Sequence, residues 1–531
     1  MPDFHAPADL ATAPAPAPPF ATVPELIAAA AAQRPAHAAL LHDERVMTFA
    51  ELDALAGRVA AALQRDGVRL GDVVAISASN SIEYVVAFVG ALRAGAAVAP
   101  VPQSSAPAVL AAMVADSGAR HLFLDEGVAR TLAATDAVTA RRIALDGSAA
   151  GQALHAWLAD APLQPHPVAV RPQDAFNLIY SSGTTGTPKG VVQPHAMRWT
   201  HVQRGSTYGY DPSAVTLIST PLHSNTTLVS FFPALSLGGT VVLMSKFDAG
   251  HYLALAERHR ITHAMLVPVQ YQRIMAREDF GRFDLASFRV KFSTSAPFAA
   301  ALKQDVLARW PGALIEFYGM TEGGGTCVLP AHEYPDKLHT VGRPAPGHDI
   351  RMIDEAGHEV ARGELGELVG HSPAMMTGYH NRTEATAAAE WFDAEGRRFI
   401  RTGDVGRYDE DGFVILLDRR KDMVISGGFN VYPSDLEAVV QAHPGVAEVA
   451  VVGVPSPQWG ETPVAFVVPA RGVHLDAGAL REWANARLGK LQRIADVRVV
   501  AVLPRSHIGK VLKRELRSAY AAGTAPAGNG S

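Results

Sequence analysis

The chain has 531 residues, 48% of them hydrophobic and 19% charged, with a net charge of −5. That length predicts two or more domains, the composition excludes a disordered or collagen-like polymer, and the acidic balance argues against a general nucleic-acid binder. One cysteine, Cys327, excludes an internal disulfide framework and any cysteine-based zinc cluster.

Residues 1–20 hold six alanines and six prolines, with almost nothing to bury, and are expected to be a disordered leader. They contain no basic stretch followed by an apolar run, so no secretory signal is expected and a cytoplasmic location is. Thr48 and Glu51 form a capping-box pair, after which Leu52, Leu55, Val59 and Leu63 share one helical face up to Gly67. A strand at 73–77, a helix around 81–93 and a strand at 96–101 follow. The apolar stretch 85–101 is interrupted by Arg93, Gly90, Gly95 and Pro100, and reads as buried helix plus strand, not a membrane span.

Short apolar strands recur at 176–180, 217–220, 240–244, 264–267 and 314–317, with helical stretches between them. This alternation predicts an α/β protein: a large N-terminal domain of layered, mostly parallel sheets with helices. Segments 363–370 and 413–417 read as more antiparallel. Beyond residue 418, helices at 433–441, 477–488 and 513–519 and strands at 446–454, 464–468 and 497–503 suffice for a small α+β domain. The expected division is 1–20 leader, 21–417 large domain, 418–422 hinge, 423–520 small mobile domain and 521–531 disordered tail. The charged run Asp418–Asp422 at the join reads, by itself, as either a hinge or a solvated turn.

Directly after the strand 176–180 comes Ser181-Ser182-Gly183-Thr184-Thr185-Gly186-Thr187-Pro188-Lys189-Gly190. Glycines let backbone N–H groups converge on phosphate oxygens, hydroxyls add donors, and Lys189 adds a charge. A cation 4 Å from a phosphate charge gains about 4 kcal/mol at an effective dielectric near 20. The loop is not a Walker A motif, which needs Gly-Lys-[Ser/Thr] opening a helix; here Pro188 precedes the lysine and Gly190 follows it.

This loop resembles the phosphate loop of the adenylate-forming superfamily, which includes acyl- and aryl-CoA synthetases such as fatty-acyl and 4-coumarate or feruloyl-CoA ligases. Other landmarks follow in the family's order: Leu92–Ala96, Tyr318-Gly319-Met320-Thr321-Glu322, Gly363-Glu364-Leu365 to Gly378-Tyr379, Arg401-Thr402-Gly403-Asp404, Asp418–Asp422 with Ser426-Gly427-Gly428-Phe429-Asn430, and Pro504 to Lys510. The resemblance covers roughly residues 22–517.

The resemblance implies a carboxylate–CoA ligase that turns acid, ATP and CoA into acyl-CoA, AMP and pyrophosphate through an acyl-adenylate. ATP and AMP would be held by the 181–189 loop, Ala296, Tyr318, Gly319, Asp404 and Arg419. Mg²⁺, a hard cation that binds through few carboxylates plus phosphates, would sit at Glu322. Thr321, Glu322 and Lys510 would carry the chemistry, Lys510 bridging the acid and the α-phosphate. Lys421 would be the hinge about which Ser426, Gly427, Gly428 and Phe429 swing to the CoA thiol. Loading of a carrier protein and a catalytically silent nucleotide- or acyl-binding protein remain as alternatives.

Family position lines the acid pocket from 219–232, 292–297 and 318–326, with His223, Ser224, Ser295, Gly323 and Gly324 as candidates. Where family members often carry Pro-hydrophobic-aromatic-His, this chain has Pro221-Leu222-His223-Ser224, which puts a gating role for either residue in doubt. Gly323-Gly324-Gly325, without side chains, is expected to leave room for a bulky acid, a medium or long alkyl chain or an aryl propenoate. No basic residue is plainly placed for a second carboxylate, with Arg198 and Arg204 left open. The expected partners are a small carboxylic acid, ATP and CoA, with no nucleic acid and no membrane segment.

Overall fold

The computed structural model describes residues 19–133, 138–181, 189–419, 422–426, 429–457, 459–488, 493–506 and 511–524. Residues 1–18 of the expected leader (1–20) and 525–531 of the expected tail (521–531) lie outside them, as do 182–188, 420–421, 427–428 and 507–510; helix Lys513–Ala521 runs one residue into the expected tail.

Two capping boxes fix where the first helices begin. In Val23–Gln33 the Thr22 hydroxyl accepts from the Glu25 N–H, and in Phe49–Arg65 Thr48 and Glu51 do the same. Each cap satisfies amide groups that the first turn leaves orphaned, and removing one costs about 1 kcal/mol.

Short apolar strands then assemble into two large sheets. One runs Arg343–Pro344, Cys327–Pro330, Ala313–Tyr318, Val290–Ser293, His263–Leu266, Val215–Ile218, Thr240–Leu243, Ala38–His42, Arg45–Thr48. Its middle strands, from Ala313–Tyr318 to Ala38–His42, pair parallel. The other runs Gly378–Tyr379, Lys189–Pro194, Ala175–Ser181, Ala97–Pro100, Val73–Ser77, His121–Leu124, Arg141–Ala144, Gln152–Ala153. Helices Phe49–Arg65, Ile82–Arg93 and Asn225–Ser236 contribute to one continuous apolar core with both sheets, from Val74 and Val98 to Val241 and Ile315. A third, antiparallel sheet comprises Asp349–Ile353, Gly366–His371, Arg398–Tyr408, Glu390–Phe392 and Val414–Arg419.

The smaller C-terminal domain has its own core. Along Val446–Ser456, Ala450, Val452 and Val454 pack with Leu503 and Leu516, whereas Val451 packs with Leu436, Val440 and Leu480. Period-two alternation thus gives one sheet two buried faces, each covered by helix. The architecture is therefore the expected mixed α/β fold, a large N-terminal domain of mostly parallel sheets and helices with a smaller C-terminal one. Among the described residues no helix is long and apolar enough to cross a membrane.

Some elements differ from the sequence reading. Strand Val290–Ser293 is absent from that reading, because Lys291 interrupts its apolar run. That lysine is fully buried and donates to the carbonyls of Trp310, Pro311 and Gly312 at 3.2, 2.6 and 2.7 Å. The helix expected to reach 488 ends at Asn485, whose side chain bonds both the N–H and the carbonyl of Ile494. The strand expected at 497–503 spans Asp496–Val499.

Candidate active site

Strand Ala175–Ser181 returns antiparallel as Lys189–Pro194, with Ser181 opposite Lys189 and Tyr180 opposite Gly190. The ladder thus fixes both ends of the expected phosphate loop; Ser182, Gly183, Thr184, Thr185 and Gly186 themselves lie outside the described residues. On the outer edge of this hairpin, Gly378–Tyr379 pairs antiparallel with Val192 and Val191. The Lys189 Nζ lies 5.1 Å from the centre of the Tyr379 ring. The Tyr379 hydroxyl donates to Glu322 Oε1 at 2.8 Å, and the Met376 N–H donates to the Glu322 carbonyl. Burial, and then the Glu322 carboxylate, push the Tyr379 phenol well above its ordinary range, so it stays a donor. Lys189, Tyr379 and Glu322 therefore form one connected wall. Sequence reasoning misses Tyr379 as a functional residue; its place in the Gly378-Tyr379 landmark is the signal that could have found it.

Thr321 is fixed from the opposite side. Buried Gln193 donates to the Thr321 carbonyl at 2.6 Å and to Asn225 Oδ1 at 3.2 Å. Arg198, 1% exposed, donates in turn to Gln193 and, at 2.7 Å, to Asn225. Nothing in the sequence distinguishes Gln193 and Asn225 from ordinary polar residues of a strand and a helix start.

Tyr318 ends its strand with its hydroxyl donating to Asp404 Oδ2 at 2.8 Å. Burial and the Asp404 charge hold that phenol protonated. Gly403, at φ +71°, turns the chain so that the Thr402 hydroxyl accepts from the Asp404 N–H. Asp404 and Arg419 are ladder partners across the antiparallel sheet; the Arg419 side chain lies outside the described residues.

The third wall comes from the ends of parallel strands, where open α/β sheets place ligands. Ser295, two residues beyond strand Val290–Ser293, has φ +80°, a left-handed conformation costly for a residue with a side chain. Its hydroxyl is hydrogen-bonded to that of Thr226, and Ala296 follows directly. Ser224 is buried at the start of Asn225–Ser236. Buried Asn80 pins the preceding turn: its amide donates to the Thr220 and Met244 carbonyls, and its oxygen accepts from the Leu222 N–H. His223, in that turn, is 5% exposed.

The glycine run has a different cause from the one expected. A side chain at Gly323, itself at φ +74°, would meet the Ala374 carbonyl at 1.9 Å and Met197 at 2.8 Å. At Gly324 it would meet Ile400 at 2.9 Å, and at Gly325 Ile350 at 2.5 Å. These glycines admit close approach of neighbouring strands and give no measure of the acid's size.

Ser426 pairs with Phe429 and with Gly460 in the small sheet. Lys421, Gly427, Gly428 and Lys510, together with the Ser181 and Phe429 side chains, lie outside the described residues.

Comparison with known proteins identifies the family. The AMP-binding enzyme family model matches residues 27–380, and that of the AMP-binding enzyme C-terminal domain matches 435–510. The chain is 35% identical to a feruloyl-CoA synthase from Amycolatopsis over 488 residues, covering 91% of this chain and 96% of the relative. It is 34% identical to an indoleacetate–CoA ligase from Aromatoleum aromaticum, covering 92% and 96%. The crystal structure of ATP-bound MatB from Rhodopseudomonas palustris superposes with a TM-score of 0.84 at 30% identity, covering 94% of this chain and 99% of that one. The chain belongs to the AMP-binding, adenylate-forming enzyme family.

Proposed function

We propose that the protein is an AMP-forming carboxylate–CoA ligase acting on an aryl or hydroxycinnamic acid or on a medium- or long-chain fatty acid. The observation that supports this is the connected wall of Lys189, Tyr379 and Glu322 beside the hairpin, together with the Tyr318–Asp404 hydrogen bond, which would face the nucleoside. The similarity to feruloyl-CoA and indoleacetate–CoA ligases supports an aromatic substrate.

The chemistry follows from charge. A carboxylate attacking ATP brings anion against anion, and cations matched to the transition state offset that repulsion. Lys189 supplies one such charge from the hairpin, and Lys510 is assigned the second. Among the described residues no group of three or more His, Cys, Asp or Glu is arranged as a metal cage. The single carboxylate of Glu322, held by Tyr379, suits Mg²⁺, which keeps several waters and binds through one or two carboxylates plus substrate phosphates. Glu322 would hold it, with Tyr379 orienting the carboxylate, and the ion would neutralise phosphate charge when bound. Asp404 accepts from ribose hydroxyls. For thioester formation the small domain turns about 418–422, with Lys421 as pivot, withdrawing Lys510 and presenting Ser426–Phe429 to the thiol.

The test is AMP release across fatty, benzoic and cinnamic acids, with and without CoA. CoA-dependent AMP formation is expected for at least one class; AMP formation indifferent to CoA would indicate a carrier-protein acceptor, and none on any acid a silent binder. Lys510→Ala is expected to abolish pyrophosphate exchange while preformed acyl-AMP is still converted to thioester. Equal loss of both would contradict the two-state cycle.

A further inference from the structure

Helix His195–Thr207 carries basic side chains at three-residue steps, Arg198, His201 and Arg204, so each neighbours the next on the helix surface. Arg198 is buried, and it donates to neutral side-chain oxygens of Gln193, Asn225 and Asn177. Its Nε and Nη1 are buried without a hydrogen-bond partner, the guanidinium lying 5.6 Å from the centre of the Phe176 ring, and Nδ1 of His201 is likewise without one. His348, from a separate segment, joins the cluster, its Nδ1 accepting from the Thr326 N–H at 3.0 Å. His201 is in the field of Arg198, Arg204 and His348.

Among the described residues none of these four groups has a carboxylate partner within ion-pair distance. Burial pushes all four below their ordinary pKa, Arg198 to about 9 and His348 to about 4. At neutral pH the two guanidiniums therefore remain cationic and the two imidazoles are neutral donors. Buried charge without a counter-ion costs several kcal/mol and is rarely kept unless something else supplies the opposite sign.

The cluster adjoins the acid side of the site. Met197, on the same helix, lies against Gly323, and Thr326 closes the glycine run that follows Glu322. Arg204 is in the field of Tyr208, whose ring meets Phe292 and Phe317 edge-on at 5.5 and 5.6 Å, on the strands that end at the acid pocket. We infer that this cluster receives a second, anionic oxygen group at the far end of the acid, so that the preferred substrate is a dianion whose distal carboxylate bonds Arg204 and the two histidines, with Arg198 supplying charge from behind. The inference rests on the carboxylate ligase reading and names its substrate class.

The test compares 4-carboxycinnamate with cinnamate in CoA-dependent AMP formation. The native protein is expected to favour the dianion at least tenfold in kcat/KM, chiefly through KM. Arg204→Met is expected to lower that ratio at least tenfold, and Arg204→Lys to restore part of it. His348→Phe, on the separate segment, provides a second variant and is expected to lower the ratio as well. AMP from cinnamate with no preference for the dianion, or equal loss on both acids in both variants, would overturn the inference and leave the ligase reading intact. No AMP from these two acids together with none from the wider panel above would overturn both.

Discussion

At the scale of single residues, the proposed function rests on side chains whose partners are distant in sequence. Tyr379 meets Glu322 across 57 positions and touches Lys189 across the hairpin edge. Tyr379→Phe frees the carboxylate to rotate, and a hydrogen bond to a charged group contributes about 1.5–3 kcal/mol. Adenylation is therefore expected to slow at least about tenfold at saturating ATP, measured by pyrophosphate exchange, with little change in melting temperature. Lys291 illustrates the opposite assignment. It is buried like a catalytic lysine and its pKa falls to about 7 through desolvation, yet its ammonium is occupied by three carbonyls that close the turn after Arg309. Lys291→Met leaves those acceptors unsatisfied at about 1–3 kcal/mol each. Loss of several degrees or more in melting temperature is expected, well beyond any specific effect on kcat.

At the scale of elements, those set by local pattern are legible in the chain itself. The Thr48–Glu51 capping box, the strand at 73–77 and the helix beginning near 433 can be placed because their signals lie within a few residues of each other. The resemblance to the adenylate-forming family likewise marks Asp404, Tyr318 and Glu322 as expected site residues, through motifs that are short and contiguous. What cannot be read is whatever two distant segments decide together. Strand Val290–Ser293 is hidden by a lysine whose partners come twenty residues later, and the glycine run looks like a device for making space. Its true cause is backbone approach by segments 370–374 and 400. Gly323→Ala is accordingly expected to destabilise the protein by several kcal/mol, through both a positive φ and a collision with the Ala374 carbonyl. Chemical denaturation would reveal it as a lowered midpoint, whichever acid is supplied.

At the scale of the whole molecule, buried imidazoles set the response to acid. His195, against Phe176, and His263, stacked on Tyr210 at 4.4 Å, have their pKa lowered to about 4 by burial, as does His348. Between an unfolded value near 6.5 and about 4, the unfolded chain binds protons that the folded one refuses, so stability falls as pH falls through that window. Glu316, raised to about 7 by burial beside Lys303, acts with the reverse sign between about 4.5 and 7 and offsets one of the three. Net uptake of more than one proton on unfolding remains, at about 1.4 kcal/mol per proton per pH unit. Melting temperatures are expected to drop steadily from pH 6.5 to 4.5; a flat profile would show that these imidazoles charge without unfolding.

The ladder that sets Asp404 opposite Arg419 has a consequence for how two successive reactions share one nucleotide. Strand Val414–Arg419 runs directly into the proposed pivot, so one end of that pivot is stitched to the strand that carries Asp404, the proposed sugar contact. Under the proposed cycle, torsion beyond this stitch would carry the small lobe while the proposed adenosine contacts at Tyr318 and Asp404 stay still. The activated acid would thus wait, moored by its nucleoside, as the catalytic face above it is exchanged.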